Sequence, residues 1–111
     1  MTDRIKLVQG DTGPQIRLTL KDSETNQPTD LTGATVTLHF RAVDTDTVLF
    51  SRNAFINPDE ADTGVCYIEW AEGDLDQEEG NYEGEVEVVN ATGVRETIFL
   101  ILKFKIRSQF A

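Results

Sequence analysis

Residues 34–43, Ala-Thr-Val-Thr-Leu-His-Phe-Arg-Ala-Val, contain the clearest alternation of apolar and polar side chains in the sequence. The apolar members are Val36, Leu38, Phe40 and Ala42, and the polar ones are Thr35, Thr37, His39 and Arg41. A repeat of two residues is the spacing of a β-strand, because successive strand side chains point to opposite faces. The stretch is therefore predicted to be a strand with one face in a core and the other in water.

The same alternation recurs on both sides of this stretch at short intervals. Further strands are predicted at residues 4–9, 15–22, 47–52, 53–56, 64–70, 83–89 and 94–107. Seven or eight short strands separated by turn residues are typical of an immunoglobulin-like antiparallel β-sandwich. The predicted fold class is therefore all-β, in a single domain that spans residues 1–111. Tyr82 precedes the penultimate strand, which is the position of a tyrosine corner in such sandwiches.

The charge and the hydropathy of the chain argue against two classes of partner. Twenty acidic and ten basic residues give a net charge of −10 at pH 7, whereas nucleic-acid binding needs a basic surface. The sequence has no apolar run of membrane length and no secretory leader, so we expect neither nucleic acid nor membrane as a partner. Twelve acidic residues and no basic ones lie between Arg52 and Arg95, and the final strand is basic. This separation indicates a solvated face, or steering towards neighbouring copies or a basic partner.

Residues suited to catalysis are few. His39 is the one histidine and falls on the polar side of its strand, with no evident Ser or Cys partner, and Cys66 is the one cysteine and falls on an apolar side. Such a set closes no disulfide and builds no zinc site of the usual thiolate type. We expect no enzyme activity, no catalytic residue, no cofactor and no transition metal. Weak calcium binding by loop carboxylates is left open.

The last predicted strand offers the clearest interaction site. One of its faces is apolar throughout and is expected in the core: Ile98, Leu100, Leu102, Phe104 and Ile106. The other face starts with Phe99 and Ile101 and continues with Lys103 and Lys105. Exposed apolar side chains on a strand need a cover, either from a loop such as residues 53–58 or from a partner. These four residues are predicted to form a partner interface, where burial supplies affinity and charge sets orientation.

Four short motifs give the sequence a family resemblance. They are Val-Gln-Gly-Asp-Thr-Gly-Pro at 8–14, Asp-Leu-Thr-Gly-Ala-Thr-Val at 30–36, Thr-Gly-Val at 63–65 in a strand that ends at Trp70, and Gly-Asn-Tyr at 80–82. In this order they resemble the immunoglobulin-like domains of tailed-phage virion proteins, in particular the N-terminal domain of baseplate upper proteins, over residues 7–107. In the second motif, Leu31 is expected to plug the end of the sandwich, and Gly33 to permit a tight bend.

The resemblance implies a non-catalytic structural role in a virion, as a scaffold or adaptor of the tail, baseplate or fibre region. The implied partners are other virion proteins or copies of the chain, and the implied location is the virion, after synthesis in the host cytoplasm. Unlike baseplate upper proteins, the sequence has no coiled coil or receptor-binding region after the sandwich, so we do not expect a host-recognition module in it. Two alternatives are left open, a capsid decoration protein and a non-viral immunoglobulin-like module that binds proteins or carbohydrate.

Overall fold

The computed structural model describes residues 4–13, 15–22, 24–98 and 101–109, and eight β-strands lie in these ranges. The strands are β1 (Ile5–Val8), β2 (Gln15–Thr19), β3 (Thr35–Ala42), β4 (Phe50–Asn53), β5 (Val65–Glu69), β6 (Gly80–Val89), β7 (Arg95–Thr97) and β8 (Leu102–Arg107). One turn of 3-10 helix, Ala61–Thr63, comes before β5. In the described ranges no helix has the length and hydropathy that a membrane crossing requires.

The strands form two layers. The larger sheet has six strands in the order β1-β8-β6-β3-β4, with β7 also paired to β6, and the smaller sheet consists of β2 and β5. The prediction of an all-β sandwich is confirmed. One detail differs from a wholly antiparallel arrangement, because β1 runs parallel to β8. Parallel neighbours need a long connection, and nearly the whole chain lies between these two strands.

The central strands follow the predicted alternation closely. In β3 the side chains of Val36, Leu38 and Phe40 are buried, while Thr37 and His39 are partly exposed. The two strands predicted at 47–52 and 53–56 are shorter in the structure. Only Phe50–Asn53 is a strand, and Phe55 then makes a single bridge to Tyr67 in the other sheet. The chain crosses from one layer to the other at this point.

The prediction of one unbroken final strand over residues 94–107 is wrong. Thr97 lies opposite Glu87, and Leu102 lies opposite Gly84. Thr97 and Leu102 are five residues apart, whereas their partners on β6 are three residues apart. The connection between β7 and β8 therefore contains two residues more than a continuous strand would. An even insertion preserves the alternation, and Ile98 and Leu102 accordingly both pack against the core. Phe99 and Leu100 fall between the two strands in the sequence and lie outside the described residues.

Phe40 on β3 is the centre of an aromatic cluster between the layers. Its ring centroid lies 4.8 Å from that of Phe50, 5.3 Å from that of Tyr82 and 5.1 Å from that of Phe104. Trp70 approaches edge-on at 5.8 Å, so this tryptophan lies in the core, as its neighbours in the sequence indicated. Aromatic pairs at such separations stabilise the fold by more than the burial of their apolar area alone.

The structure also bears on the predictions for Tyr82 and for the second motif, residues 30–36. Tyr82 donates a hydrogen bond from its hydroxyl to the Glu78 carbonyl oxygen at 2.5 Å, which completes a tyrosine corner. Leu31 is buried in the core, as a plug would be, and its N–H donates a hydrogen bond to the carbonyl of Ala61. Gly33 follows with a φ of 72°, a conformation that glycine adopts without strain. The two hydrogen bonds tie the loop before β6 and the loop before β3 to their neighbours.

Candidate partner interface

The described members of the predicted interface share the outer face of the six-stranded sheet. Alternate residues of β8 are buried, and Lys103 and Lys105 between them are exposed. Ile101, which directly precedes β8, is 41% exposed. Phe99 lies outside the described residues. The structure thus brings Ile101, Lys103 and Lys105 to one surface, and their role as an interface stays a prediction.

Lys6, Lys103 and Lys105 form a basic patch on this surface, which we call the basic flank. The parallel pairing of β1 with β8 places Lys6 directly beside Lys105, although like charges on neighbouring strands repel each other. Within the described ranges none of the three forms an ion pair. Glu83 lies opposite Lys103, but its carboxylate pairs with Arg41 at 2.8 Å. The three ammonium groups are therefore not neutralised by a neighbouring carboxylate in the described residues, although the net charge of the chain is −10.

A second exposed apolar side chain lies close to Ile101. Val48 is 48% exposed and belongs to the β3–β4 loop, residues 43–49. Val48 and Ile101 line one shallow cavity of about 60 Å³ above Gly84 of β6. We call these two side chains the apolar centre. Sequence reasoning missed Val48, and the signal that could have revealed it is the apolar pair Val48 and Leu49 in an otherwise polar loop.

The proposed cover from residues 53–58 is not seen. Phe55 exchanges two backbone hydrogen bonds with Tyr67 of β5, at 2.8 and 2.9 Å. This places the segment at the edge of the smaller sheet, away from β8. Of the two alternatives left open, cover by residues 53–58 is therefore excluded, and cover by a partner stays a prediction. In the described part of the chain, Ile101 is open to solvent.

The same face holds a contact between a serine and the histidine. His39 Nδ1 lies 2.7 Å from Ser51 Oγ, and His39 Nε2 lies 3.9 Å from Glu87 Oε1. The expectation that His39 has no serine partner is wrong, because the β3–β4 register places Ser51 directly opposite it. Acyl transfer by a serine also needs N–H donors aimed at the developing oxyanion. Strand N–H groups lie in the plane of the sheet, so those beside Ser51 do not point at a group above this face.

Cys66 takes no part in this surface, and the carboxylates of the described residues form no metal site. Cys66 is fully buried, and burial raises the pKa of its thiol to about 11. A thiol of that kind forms little thiolate, the reactive species, at neutral pH. Among the described residues, no group of three or more His, Cys, Asp or Glu side chains is placed to hold a metal ion. The surface can therefore make contacts, and its chemistry is that of packing, hydrogen bonds and charge.

The outer face of the larger sheet thus combines an apolar centre, a basic flank and a row of paired polar side chains. In comparisons with known proteins, no protein-family model matches the chain, and no curated protein matches it either.

Proposed function

We propose that this chain is a non-catalytic structural protein of a phage virion, which acts as a scaffold or adaptor in the tail, baseplate or fibre region. It attaches to its partner through the outer face of the six-stranded sheet. The observation that carries this proposal is the apolar centre, Val48 and Ile101, beside a basic flank that has no intrachain ion pair among the described residues.

The arrangement has the chemistry of a specific protein contact. Apolar side chains at the middle of an interface lose water on binding and supply affinity, while charges at the rim set orientation and exclude wrong partners. The polar side chains between them are already held in place, as the pair Arg41 and Glu83 shows. These paired side chains lose little freedom when the surface binds.

The structure also bears on the alternative of a carbohydrate-binding module. Sugar-binding surfaces usually present several aromatic side chains on one face. Here Trp70 and Tyr82 are buried in the core, and the aromatic pair Phe55 and Tyr67, with centroids 6.5 Å apart, lies at the smaller sheet. This distribution favours a protein partner.

The placement in a virion rests on the motif resemblance, and its test is direct. Virions purified from a producing culture should contain the chain in stoichiometric amounts, measured by quantitative mass spectrometry. Immunogold labelling with an antibody to the chain should mark the tail or baseplate. Label on the capsid would favour the decoration protein instead, and absence of the chain from purified particles would overturn the virion role.

A further inference from the structure

The smaller sheet has a strand edge without a partner among the described residues. This sheet contains only β2 and β5, against six strands in the larger one. The N–H of Leu20 donates a hydrogen bond to the carbonyl of Gly64, so the even-numbered residues of β2 direct their backbone groups towards β5. Arg17 and Thr19 therefore direct their N–H and C=O groups away from β5. In the described ranges these groups form no backbone hydrogen bond.

The free edge of β2 opens into a groove of about 1040 Å³. One wall consists of the end of β2 and the loop after it, residues 19–22 and 24–30, and the other wall includes β7. β7 is an edge strand as well, because it pairs only with β6 in the described ranges. The N–H of Ile98 donates to the carbonyl of Val86, so the backbone groups of Arg95 and Thr97 face away from β6. Residues of two open strand edges, one from each sheet, therefore line the groove.

The groove has apolar side chains on the larger sheet and an excess of acidic ones around them. Val88 is buried and Ile98 is partly exposed, and both line the groove. Glu96 is paired with Val88 across the two strands, so its side chain lies on the same inner face. Of the charged side chains that line the groove, four are acidic and one is basic: Asp22, Glu24, Asp30, Glu96 and Lys21. None of the five forms an ion pair within the described ranges.

We infer that this groove binds an extended segment of another protein, which adds to β2 as a third strand of the smaller sheet. Strand addition gives the free backbone groups of Arg17 and Thr19 hydrogen-bond partners, and alternate side chains of the added strand supply specificity. One row of these side chains faces Val88 and Ile98 and is apolar, apart from a lysine or arginine beside Glu96. The other row lies on the solvent side of the sheet.

The charges of the groove favour a basic segment over other occupants. The excess of acids repels an acidic segment, and a charge on the inner face of an edge strand, such as Glu96, opposes pairing with a wholly apolar one. A second copy of the chain would bring the same excess of acids to the groove, in a protein whose net charge is −10. The groove is lined by other residues than the outer-face contact, so the inference goes beyond the proposed function and does not depend on it.

Selection from a phage-displayed library of random twelve-residue peptides, with the full chain as bait, tests the inference. Enriched peptides should have apolar residues at alternate positions, with a lysine or arginine in the same row. A synthetic copy of the enriched peptide should slow the amide hydrogen exchange of Arg17 and Thr19, measured by NMR. Slower exchange at Arg95 and Thr97 alone would place the strand on β7 and overturn the inference. Failure of any such peptide to be enriched would overturn it as well.

Substitutions in the groove give a second test, read by fluorescence anisotropy of the labelled peptide. Glu96→Lys should weaken binding at least about tenfold, and a peptide with glutamate in place of its basic residue should bind this variant well. Glu72→Lys makes the same reversal at an exposed site in the β5–β6 loop and should bind the original peptide like the wild type. Unchanged affinity of Glu96→Lys would contradict the inference.

A proline on the free edge separates strand addition from charge attraction. Thr19→Pro removes an N–H that faces away from β5, so the ladder within the smaller sheet keeps its hydrogen bonds. With its fold checked by circular dichroism, this variant should bind the peptide at least about tenfold more weakly. Wild-type affinity would overturn the inference, and so would a wild-type dimer in sedimentation equilibrium that Thr19→Pro abolishes, because the occupant would then be a second copy.

The outer-face variant distinguishes a failure of this inference from a failure of the proposed function. Val48→Ser with Ile101→Ser should bind the peptide with unchanged affinity, because neither residue lines the groove. Loss of peptide binding in this variant would overturn the groove as a separate site. Normal peptide binding by a chain that is absent from purified virions would leave the inference standing and overturn the virion role alone.

Discussion

Arg52 on β4 donates two parallel hydrogen bonds to the carboxylate of Asp74, from Nε to Oδ2 at 2.9 Å and from Nη2 to Oδ1 at 2.6 Å. The same carboxylate accepts the N–H of Ala71 at 2.8 Å. Asp74 is buried, whereas a third of the Arg52 side chain reaches solvent. The pair connects β4, an edge strand of the larger sheet, to the loop between β5 and β6. It therefore stabilises the edge strand that the β3–β4 loop precedes.

The difference in burial predicts unequal effects when either partner is removed. Arg52→Ala leaves a buried carboxylate without its counter-ion, which should cost about 3–5 kcal/mol of unfolding free energy. Asp74→Ala leaves a guanidinium that can turn to water, and should cost about 2–3 kcal/mol. Urea unfolding followed by tryptophan fluorescence gives both values. Equal losses, or a larger loss for Asp74→Ala, would contradict this account of the pair.

A larger residue at Gly84 should destabilise the fold, although the backbone there is an ordinary extended strand. A Cβ atom there would lie 2.6 Å from Leu38 Cδ1 and 3.0 Å from the ring of Phe104. Gly84→Ala should therefore destabilise the fold by about 1–3 kcal/mol through overpacking. Gly13→Ala is the matched control, because nothing lies within 4 Å of its added Cβ. Thermal unfolding should show a clear decrease in Tm for the first variant alone, and similar Tm values for both would show that the core is loosely packed.

The buried thiol predicts a loss of stability in alkaline solution. Burial raises the pKa of Cys66 from its usual 9.0 to about 11. Between these values the unfolded chain releases the thiol proton and the folded chain retains it, so the free energy of unfolding should fall as the pH rises from about 9 to 11. Burial also raises the pKa of Tyr82, so Cys66→Ala is the necessary comparison. Its stability should fall less steeply over this window, and parallel curves for the two proteins would refute the assignment.

The sequence predicted those features well that depend on the residues of a single strand, namely its bounds and the faces of its side chains. The alternation at 34–43 located β3 to within one residue at each end. The alternation in the last predicted strand placed Ile101, Lys103 and Lys105 on the exposed side. The break between β7 and β8 escaped notice because two inserted residues leave the alternation unchanged. The contact of His39 with Ser51 depends on strand register, and the position of Val48 depends on how a loop folds over the sheet. Neither is encoded within a window of a few residues.

Incorporation of an altered apolar centre into particles tests the central claim most directly. Val48→Ser with Ile101→Ser changes two side chains that are nearly half exposed, so the chain should fold with an almost unchanged Tm. The loss of apolar burial should weaken the contact by about 2–3 kcal/mol, more than tenfold in affinity. Phe55→Ser with Val94→Ser removes somewhat more exposed apolar groups elsewhere and serves as the control. We predict that virions produced with the first variant lack the chain, while the control is incorporated like the wild type. A folded first variant present at wild-type levels in virions would contradict the assignment of this face as the contact surface.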